Sequence, residues 1–117
     1  MTEALFPRMT RRTVERRRAL APGPEDAFRG FSDAVFAEGA LDARTKQLIA
    51  VAVGHATGCP YCIRAHTKMA RRAGASDEAI MEAIWVAAEM MAGAGMSHAA
   101  LALAALDEDD ARRDGGS

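Results

Sequence analysis

The sequence predicts an all-α protein, and three observations support this prediction. Alanine, the residue with the highest helix propensity, fills 27 of the 117 positions. Aromatic residues make up only 5% of the chain, which is unfavourable for a β fold. Apolar residues recur at spacings of three and four in successive segments that are separated by glycine or proline. We therefore expect a bundle of about five to six helices and no thioredoxin-like sheet.

Length and charge limit the class of protein further. A chain of 117 residues with 50% hydrophobic and 26% charged residues is typical of one globular domain. The net charge of -1 provides no field that would attract nucleic acid or an anionic membrane. We find neither an apolar run of about 18 residues nor the apolar region of a secretory signal. We therefore expect a cytoplasmic protein with no membrane contact, a setting in which a permanent disulfide is rare.

Composition divides the chain into three parts. Residues 1–23 form a basic N-terminal arm or short helix, residues 24–107 form the helical domain, and residues 108–117 form a charged flexible tail. The arginines of the arm indicate a solvated face or a contact with a neighbouring subunit, with an anionic partner as the alternative. These arginines are Arg11, Arg12, Arg16, Arg17 and Arg18.

Capping and breaking residues predict where the helices of the domain begin and end. The predicted helices follow the Pro22–Pro24 break and run over 25–38, from Asp42 to Thr57, from Pro60 to Ala73, from Ser76 to the Gly93 and Gly95 interruption, and from Met96 to Leu106.

The last predicted helix is apolar on nearly all sides, which a small bundle cannot bury alone. We therefore expect an oligomer. Core or interface packing is the role we expect for Trp85, Met81, Met90 and Met91, with the lining of an apolar substrate channel as the alternative. His98 is expected at a subunit contact, with a role in the active pocket as the alternative.

The chemistry of the chain is concentrated between His55 and His66, which enclose both cysteines. Cys59 and Cys62 lie at the start of a predicted helix, where the helix dipole and free amide groups stabilise a thiolate. Such positions lower a cysteine pKa from about 8.5 into a range of roughly 3.5 to 7.5. His66 follows Cys62 by one helical turn and can accept its proton.

Two thiols beside a base permit a simple redox cycle. A thiolate attacks a peroxide or a disulfide, the second cysteine resolves the product as an intramolecular disulfide, and an external dithiol restores both thiols. Two alternatives remain open: a buried, inert cysteine pair, and a zinc site made by His55, Cys59, Cys62 and His66. Covalent haem attachment is excluded because Ile63, and not histidine, follows the second cysteine.

These residues resemble a known family, the alkylhydroperoxidase D-like or carboxymuconolactone decarboxylase-like superfamily. The similarity covers about Leu41 to Asp107 and rests on three stretches. They are DARTKQLIA from Asp42, GCPYCIRAH from Gly58 and AGASDEAI from Ala73.

The resemblance implies an all-α fold that assembles into homotrimers or homohexamers. We expect no cofactor and no bound metal. The resemblance assigns the peroxidatic role to Cys62, the resolving role to Cys59 and a proton relay to His66. In the family the histidine relays a proton from a glutamate, but Gln47 occupies the position of that glutamate here. A glutamine does not accept a proton at pH 7, although it can orient His66 by a hydrogen bond.

Two further residues have alternative roles. His55 lies two helical turns after Gln47, and it either supplies the missing base or only caps its own helix. Tyr61 corresponds to a tyrosine or histidine of relatives, and it either donates a hydrogen bond to a substrate oxygen or packs half-buried.

The sequence thus predicts a thiol-dependent peroxidase that reduces hydroperoxides, with a dithiol or a thioredoxin-like protein as electron donor. A protein disulfide reductase would use the same cysteines, and a non-enzymatic zinc-binding or structural oligomer is the alternative of a different class. Lactone decarboxylation is not expected, because the decarboxylase branch of the superfamily typically lacks the cysteine pair.

Overall fold

The structure, a computed structural model, describes residues 5–115, and within them it contains six α-helices and no strand. The predicted all-α fold is confirmed. The helices are α1 (Arg11–Leu20), α2 (Pro22–Phe36), α3 (Ala43–Thr57), α4 (Pro60–Arg72), α5 (Asp77–Ser97) and α6 (Ala99–Asp114).

Ten residues of the basic arm form helix α1, and among the described helices α1 packs only against α2. Two ion pairs join these helices: Arg17 contacts Glu25, and Arg18 contacts Asp26. The predicted break at Pro22–Pro24 is wrong, because α2 already begins at Pro22 and only Ala21 separates it from α1. Proline is tolerated there since the first amides of a helix have no partner within the helix.

Helices α3, α4 and α5 form the packed centre of the chain. Helix α3 lies against both α4 and α5, and its N-terminus is capped by Asp42, whose side chain accepts a hydrogen bond from the Thr45 amide at 2.7 Å. The turn into α4 depends on Gly58, which has a left-handed φ of 66° that favours glycine. A small core surrounds Val51, which is completely buried; its other buried members are Ala70, Ala75 and Ile80.

The C-terminal helices differ from the prediction in two ways. Helix α5 continues through Gly93 and Gly95 to Ser97, because glycine costs a helix only about 1 kcal/mol and neither residue adopts a positive φ. Helix α6 then continues to Asp114, so the expected flexible tail is helical up to that residue. The short interruption between α5 and α6 lies at His98 instead.

A single chain leaves much of its apolar surface in contact with solvent. Its radius of gyration is 21.1 Å, whereas about 13 Å is typical of a compact chain of this length. Trp85 is 69% exposed, as is Leu101. The residues expected in the core or at interfaces therefore do not lie in the core of the single chain; besides Trp85, they are Met81, Met90 and Met91.

One helical stretch, Asp77–Asp114, is long and apolar enough to cross a membrane by length and composition. Its best 18-residue window has a mean hydropathy of 1.3, and only 11% of that window is buried. The expectation that no such stretch exists is therefore wrong. It relied on an uninterrupted apolar run, whereas here Glu89, Ser97 and His98 interrupt an otherwise apolar or small-residue sequence. Core helices of soluble proteins share this length and composition, so the stretch by itself does not place the chain in a membrane.

Candidate active site

The two cysteines lie side by side at the start of α4. Cys59 is the N-cap residue of this helix, and its sulfur accepts a hydrogen bond from the Cys62 amide at 3.2 Å. The two sulfur atoms are joined as a disulfide, with the Cα atoms 5.3 Å apart. The structure therefore brings the predicted pair within bonding reach and places both sulfurs at the positive end of the helix.

Cys62 lines a cavity of about 440 Å³, whereas Cys59 does not. The cavity lies between the end of α2, one face of α3 and the first turns of α4. Its lining is mainly apolar and comprises Val35, Phe36, Leu41, Lys46, Ile49, Ala50, Val53, Gly54, Thr57, Cys62 and His66. A substrate in this cavity would therefore meet Cys62 before Cys59.

Glycine at position 54 permits α3 and α4 to approach each other at this site. A Cβ added to Gly54 would lie 3.3 Å from the Cβ of Cys62 and 3.5 Å from the Ile63 nitrogen. These contacts are close enough that α4 would have to shift by a few tenths of an ångström. The missing side chain therefore helps to set the position of Cys62 at the edge of the cavity.

His66 is held in one orientation by two neighbours. Its Nδ1 lies 2.7 Å from the Gln47 side-chain oxygen, and because that oxygen only accepts, Nδ1 donates. The ring stacks on Phe36 with centroids 5.2 Å apart and an interplanar angle of 21°. In the neutral ring the other nitrogen, Nε2, is then left unprotonated and can accept a proton. The predicted orienting role of Gln47 is thus matched by this contact.

Burial lowers the pKa of His66 below its usual value of 6.5, because desolvation disfavours the imidazolium. The ring is therefore neutral at pH 7 and available as a base. No acidic residue lines the cavity within the described chain, so no carboxylate opposes this effect.

Lys46 is the charged residue of the cavity lining, and it also fixes the end of α2. Its ammonium group donates hydrogen bonds to the backbone oxygens of Val35, at 2.8 Å, and Ala37. These residues flank Phe36 in the sequence, so Lys46 helps to hold the ring that stacks on His66. Its positive charge at the cavity also favours a thiolate over a thiol.

The structure places the other two candidate residues outside this cavity. The Nδ1 atom of His55 lies 2.8 Å from the Val51 backbone oxygen, four residues earlier in α3, so this ring contacts the interior of its own helix. Tyr61 is half-buried and packs edge to face on Phe6, with ring centroids 6.1 Å apart, which agrees with the packing alternative. Neither residue lines the cavity of Cys62.

The ligands of the zinc alternative do not form a metal cluster in this structure. Among the described residues, no group of three or more His, Cys, Asp or Glu side chains is arranged to hold a metal ion.

Sequence reasoning missed three residues that shape the site: Phe36, Lys46 and Gly54. Phe36 and Lys46 carried no motif, because their roles depend on how α2 approaches α3. Gly54 did give a signal, since a glycine inside a helical segment frequently marks a close approach of two backbones.

Replacing Gln47 with glutamate is expected to raise the pKa of His66, because a carboxylate at hydrogen-bond distance stabilises the imidazolium. His66 of the variant would then hold its proton to higher pH. A ¹H NMR titration of the three imidazole C2 protons measures this directly. The wild-type chain, titrated under the same conditions, is the control. An unchanged His66 pKa would show that the Gln47 contact does not exist in solution.

Comparison with known proteins identifies the family of this site. The family model described as "Carboxymuconolactone decarboxylase family" matches residues 22–105, which is most of the chain. The chain belongs to the carboxymuconolactone decarboxylase family. The match includes α2 to α5 and most of the apolar half of α6, so it covers all the elements that build the cavity.

Two bacterial proteins are similar in sequence to this chain. "Uncharacterized protein 4 in cox locus" of Paracoccus denitrificans is 67% identical over 86 residues, covering 74% of this chain and 78% of the relative. A protein of Cupriavidus necator is 38% identical over 86 residues, covering 74% of this chain and 76% of the relative.

Solved structures confirm the fold of this family member. A Methanobacterium thermoautotrophicum protein matches with a TM-score of 0.67 at 37% identity, covering 71% of this chain and 93% of that chain. A carboxymuconolactone decarboxylase family protein from Legionella pneumophila, in its apo form, has a TM-score of 0.66 at 33% identity. That comparison covers 83% of this chain and 87% of the Legionella protein.

Proposed function

We propose that this family member is a thiol-dependent peroxidase that reduces organic hydroperoxides through Cys62 and Cys59. The observation that carries the proposal is the placement of Cys62 in an apolar cavity beside a neutral His66, with Cys59 bonded to it from outside the cavity. A nucleophile, a base and a resolving thiol are thus present in one short segment.

The proposed cycle begins when His66 accepts the proton of the Cys62 thiol. The Cys62 thiolate attacks the distal oxygen of the hydroperoxide, the O–O bond breaks, and the alkoxide leaves with the proton held by His66. Cys62 is then a sulfenic acid. The Cys59 thiolate attacks the Cys62 sulfur, the S–S bond forms, and water leaves after taking up the Cys59 proton.

An external dithiol completes the cycle. Its two thiols reduce the Cys59–Cys62 disulfide and become a disulfide themselves, so the net reaction converts hydroperoxide and dithiol into alcohol, water and disulfide. The amide of Cys62, which donates to the Cys59 sulfur, favours Cys59 as the thiolate that leaves during this reduction. The donor is a small dithiol or a thioredoxin-like protein.

The lining of the cavity supports an organic substrate. Besides Cys62 and His66, its polar side chains are Lys46 and Thr57, and both are bound to backbone oxygens. An alkyl or aryl group would therefore remove apolar surface from water without leaving a polar group unpaired.

We also propose that the protein acts in the cytoplasm as a homotrimer or homohexamer. The exposed apolar residues of α5 and α6 support this assembly, because another copy would remove them from water.

A stoichiometric oxidation tests the proposed function. The protein is reduced with dithiothreitol, desalted, and treated with one equivalent of cumene hydroperoxide. We expect two thiols to be lost per alcohol formed, and we expect peptide mapping to find Cys59 joined to Cys62. Retention of both thiols, with zinc bound at stoichiometric amount, would instead support the metal-binding alternative.

A further inference from the structure

A second cavity lies on the opposite side of α4 from the Cys62 cavity. Its volume is about 600 Å³, and the segment that precedes α1 forms its other wall. The lining consists of Phe6, Pro7, Arg8, Met9, Pro60, Tyr61, Arg64, Ala65 and Lys68. The two cavities share no lining residue, so α4 separates two distinct chambers.

Three cations line this second cavity, and no acidic side chain of residues 5–115 lines it with them. Arg8 lies on one wall, and Arg64 and Lys68 lie one helical turn apart on the other. None of the three makes an ion pair in the described part of the chain, although arginines elsewhere do. Like charges at this helical spacing are mutually unfavourable, so an anion bound between them would stabilise the cluster.

The remaining walls are apolar and aromatic. Phe6 and Tyr61 meet edge to face, and prolines 7 and 60 stand beside them. Aromatic and proline surfaces suit a flat organic group, while two guanidinium groups suit the oxygen atoms of a phosphate or carboxylate. The volume lies within the range of about 300 to 1,000 Å³ that is typical of small-molecule sites.

We propose that this second cavity binds a small organic anion that carries a flat or aromatic group, with its anionic end held by Arg8, Arg64 and Lys68. The site is independent of the peroxide chemistry, because it uses neither cysteine nor His66. Binding occurs with the Cys59–Cys62 pair oxidised, the state that the structure describes.

Tyr61 provides a specific reporter because it is the only tyrosine of the chain. Biosynthetic incorporation of 3-fluorotyrosine places one ¹⁹F nucleus inside the cavity. We expect phenyl phosphate to shift this ¹⁹F resonance saturably, and we expect benzyl alcohol, its neutral counterpart, to cause no saturable shift. Calorimetry on the unlabelled chain should give the same dissociation constant for phenyl phosphate.

Matched variants identify the residues that bind the anion. Arg64→Ala is expected to weaken phenyl phosphate binding about tenfold or more, since hydrogen bonds to charged groups contribute that much. Arg72→Ala is the control, because Arg72 is an exposed arginine of the same helix that lines neither cavity. Its dissociation constant should equal that of the wild type.

Four results would overturn this inference. They are the absence of a saturable shift, equal shifts with benzyl alcohol, equal weakening by the two variants, and a ¹⁹F resonance that moves with protein concentration alone. The last result would mean that an acidic segment of a second copy, such as residues 107–110, occupies the cavity. The proposed peroxidase activity would stand in each case.

Discussion

Cys62→Ser is expected to lower kcat/KM for the reduction of cumene hydroperoxide by about 10³-fold or more, the scale on which removal of a catalytic nucleophile acts. A serine hydroxyl is not ionised at neutral pH, and no other thiol lines the cavity. The measurement is peroxide consumption with dithiothreitol as donor. A rate equal to the wild type would contradict the assignment of Cys62 as the attacking residue.

Cys59→Ser separates attack from resolution and serves as the matched variant. Because Cys59 lies outside the cavity, the first turnover should proceed, and the Cys62 sulfenic acid should accumulate instead of the disulfide. Trapping with dimedone and mass spectrometry detects that species. If Cys59→Ser instead abolishes the first turnover while Cys62→Ser keeps it, the two roles are reversed.

Trp85→Asp is expected to dissociate the proposed oligomer. Trp85 is 69% exposed in the single chain and lies among the apolar residues of α5. Tryptophans at interface centres contribute about 2 kcal/mol or more, so association should weaken by roughly 30-fold or more. Sedimentation equilibrium measures the change in mass. In the wild type, dilution below the dissociation constant of the oligomer should move the emission of this single tryptophan to longer wavelength, because dissociation exposes it to water.

Glu82→Gln provides the control, because Glu82 is an exposed residue of the same helix but carries no apolar side chain. The Glu82→Gln variant should sediment with the same assembly mass as the wild type. A wild-type chain that sediments as a monomer would contradict the oligomer. Binding of that monomer to lipid vesicles would instead indicate that the apolar face of α5 and α6 meets a membrane.

Local signals predicted the central helices well. Asp42, Gly58 and Ser76 mark helix ends through contacts with near neighbours in the chain, so the sequence alone predicted those ends. Gly93 and Gly95 misled the prediction because neither adopts the positive φ with which Gly58 and Gly74 follow their helices. The start of α2 and the end of α6 were also predicted wrongly. A helix accepts proline in its first turn and charged residues in its last turns, but the prediction treated both as helix ends.

The part of the candidate site that lies in one segment of the chain could be predicted from the sequence. The spacing of Cys59, Cys62 and His66 follows from one turn and one helix, and the structure places these residues together. The contact of Gln47 with His66 crosses from α3 to α4 and was expected only through the family resemblance. Phe36 could not be found, because its role arises from packing between helices that are distant in sequence.

The most direct test of this account measures whether the Cys62 thiol is ionised at neutral pH. In the reduced Cys59→Ser variant Cys62 is the only thiol, and its rate of alkylation by iodoacetamide follows the thiolate fraction as pH is varied. Stabilisation at the N-terminus of α4 predicts an inflection between about 3.5 and 7.5. An inflection at about 8.5 or above, the range of an unperturbed thiol, would contradict it.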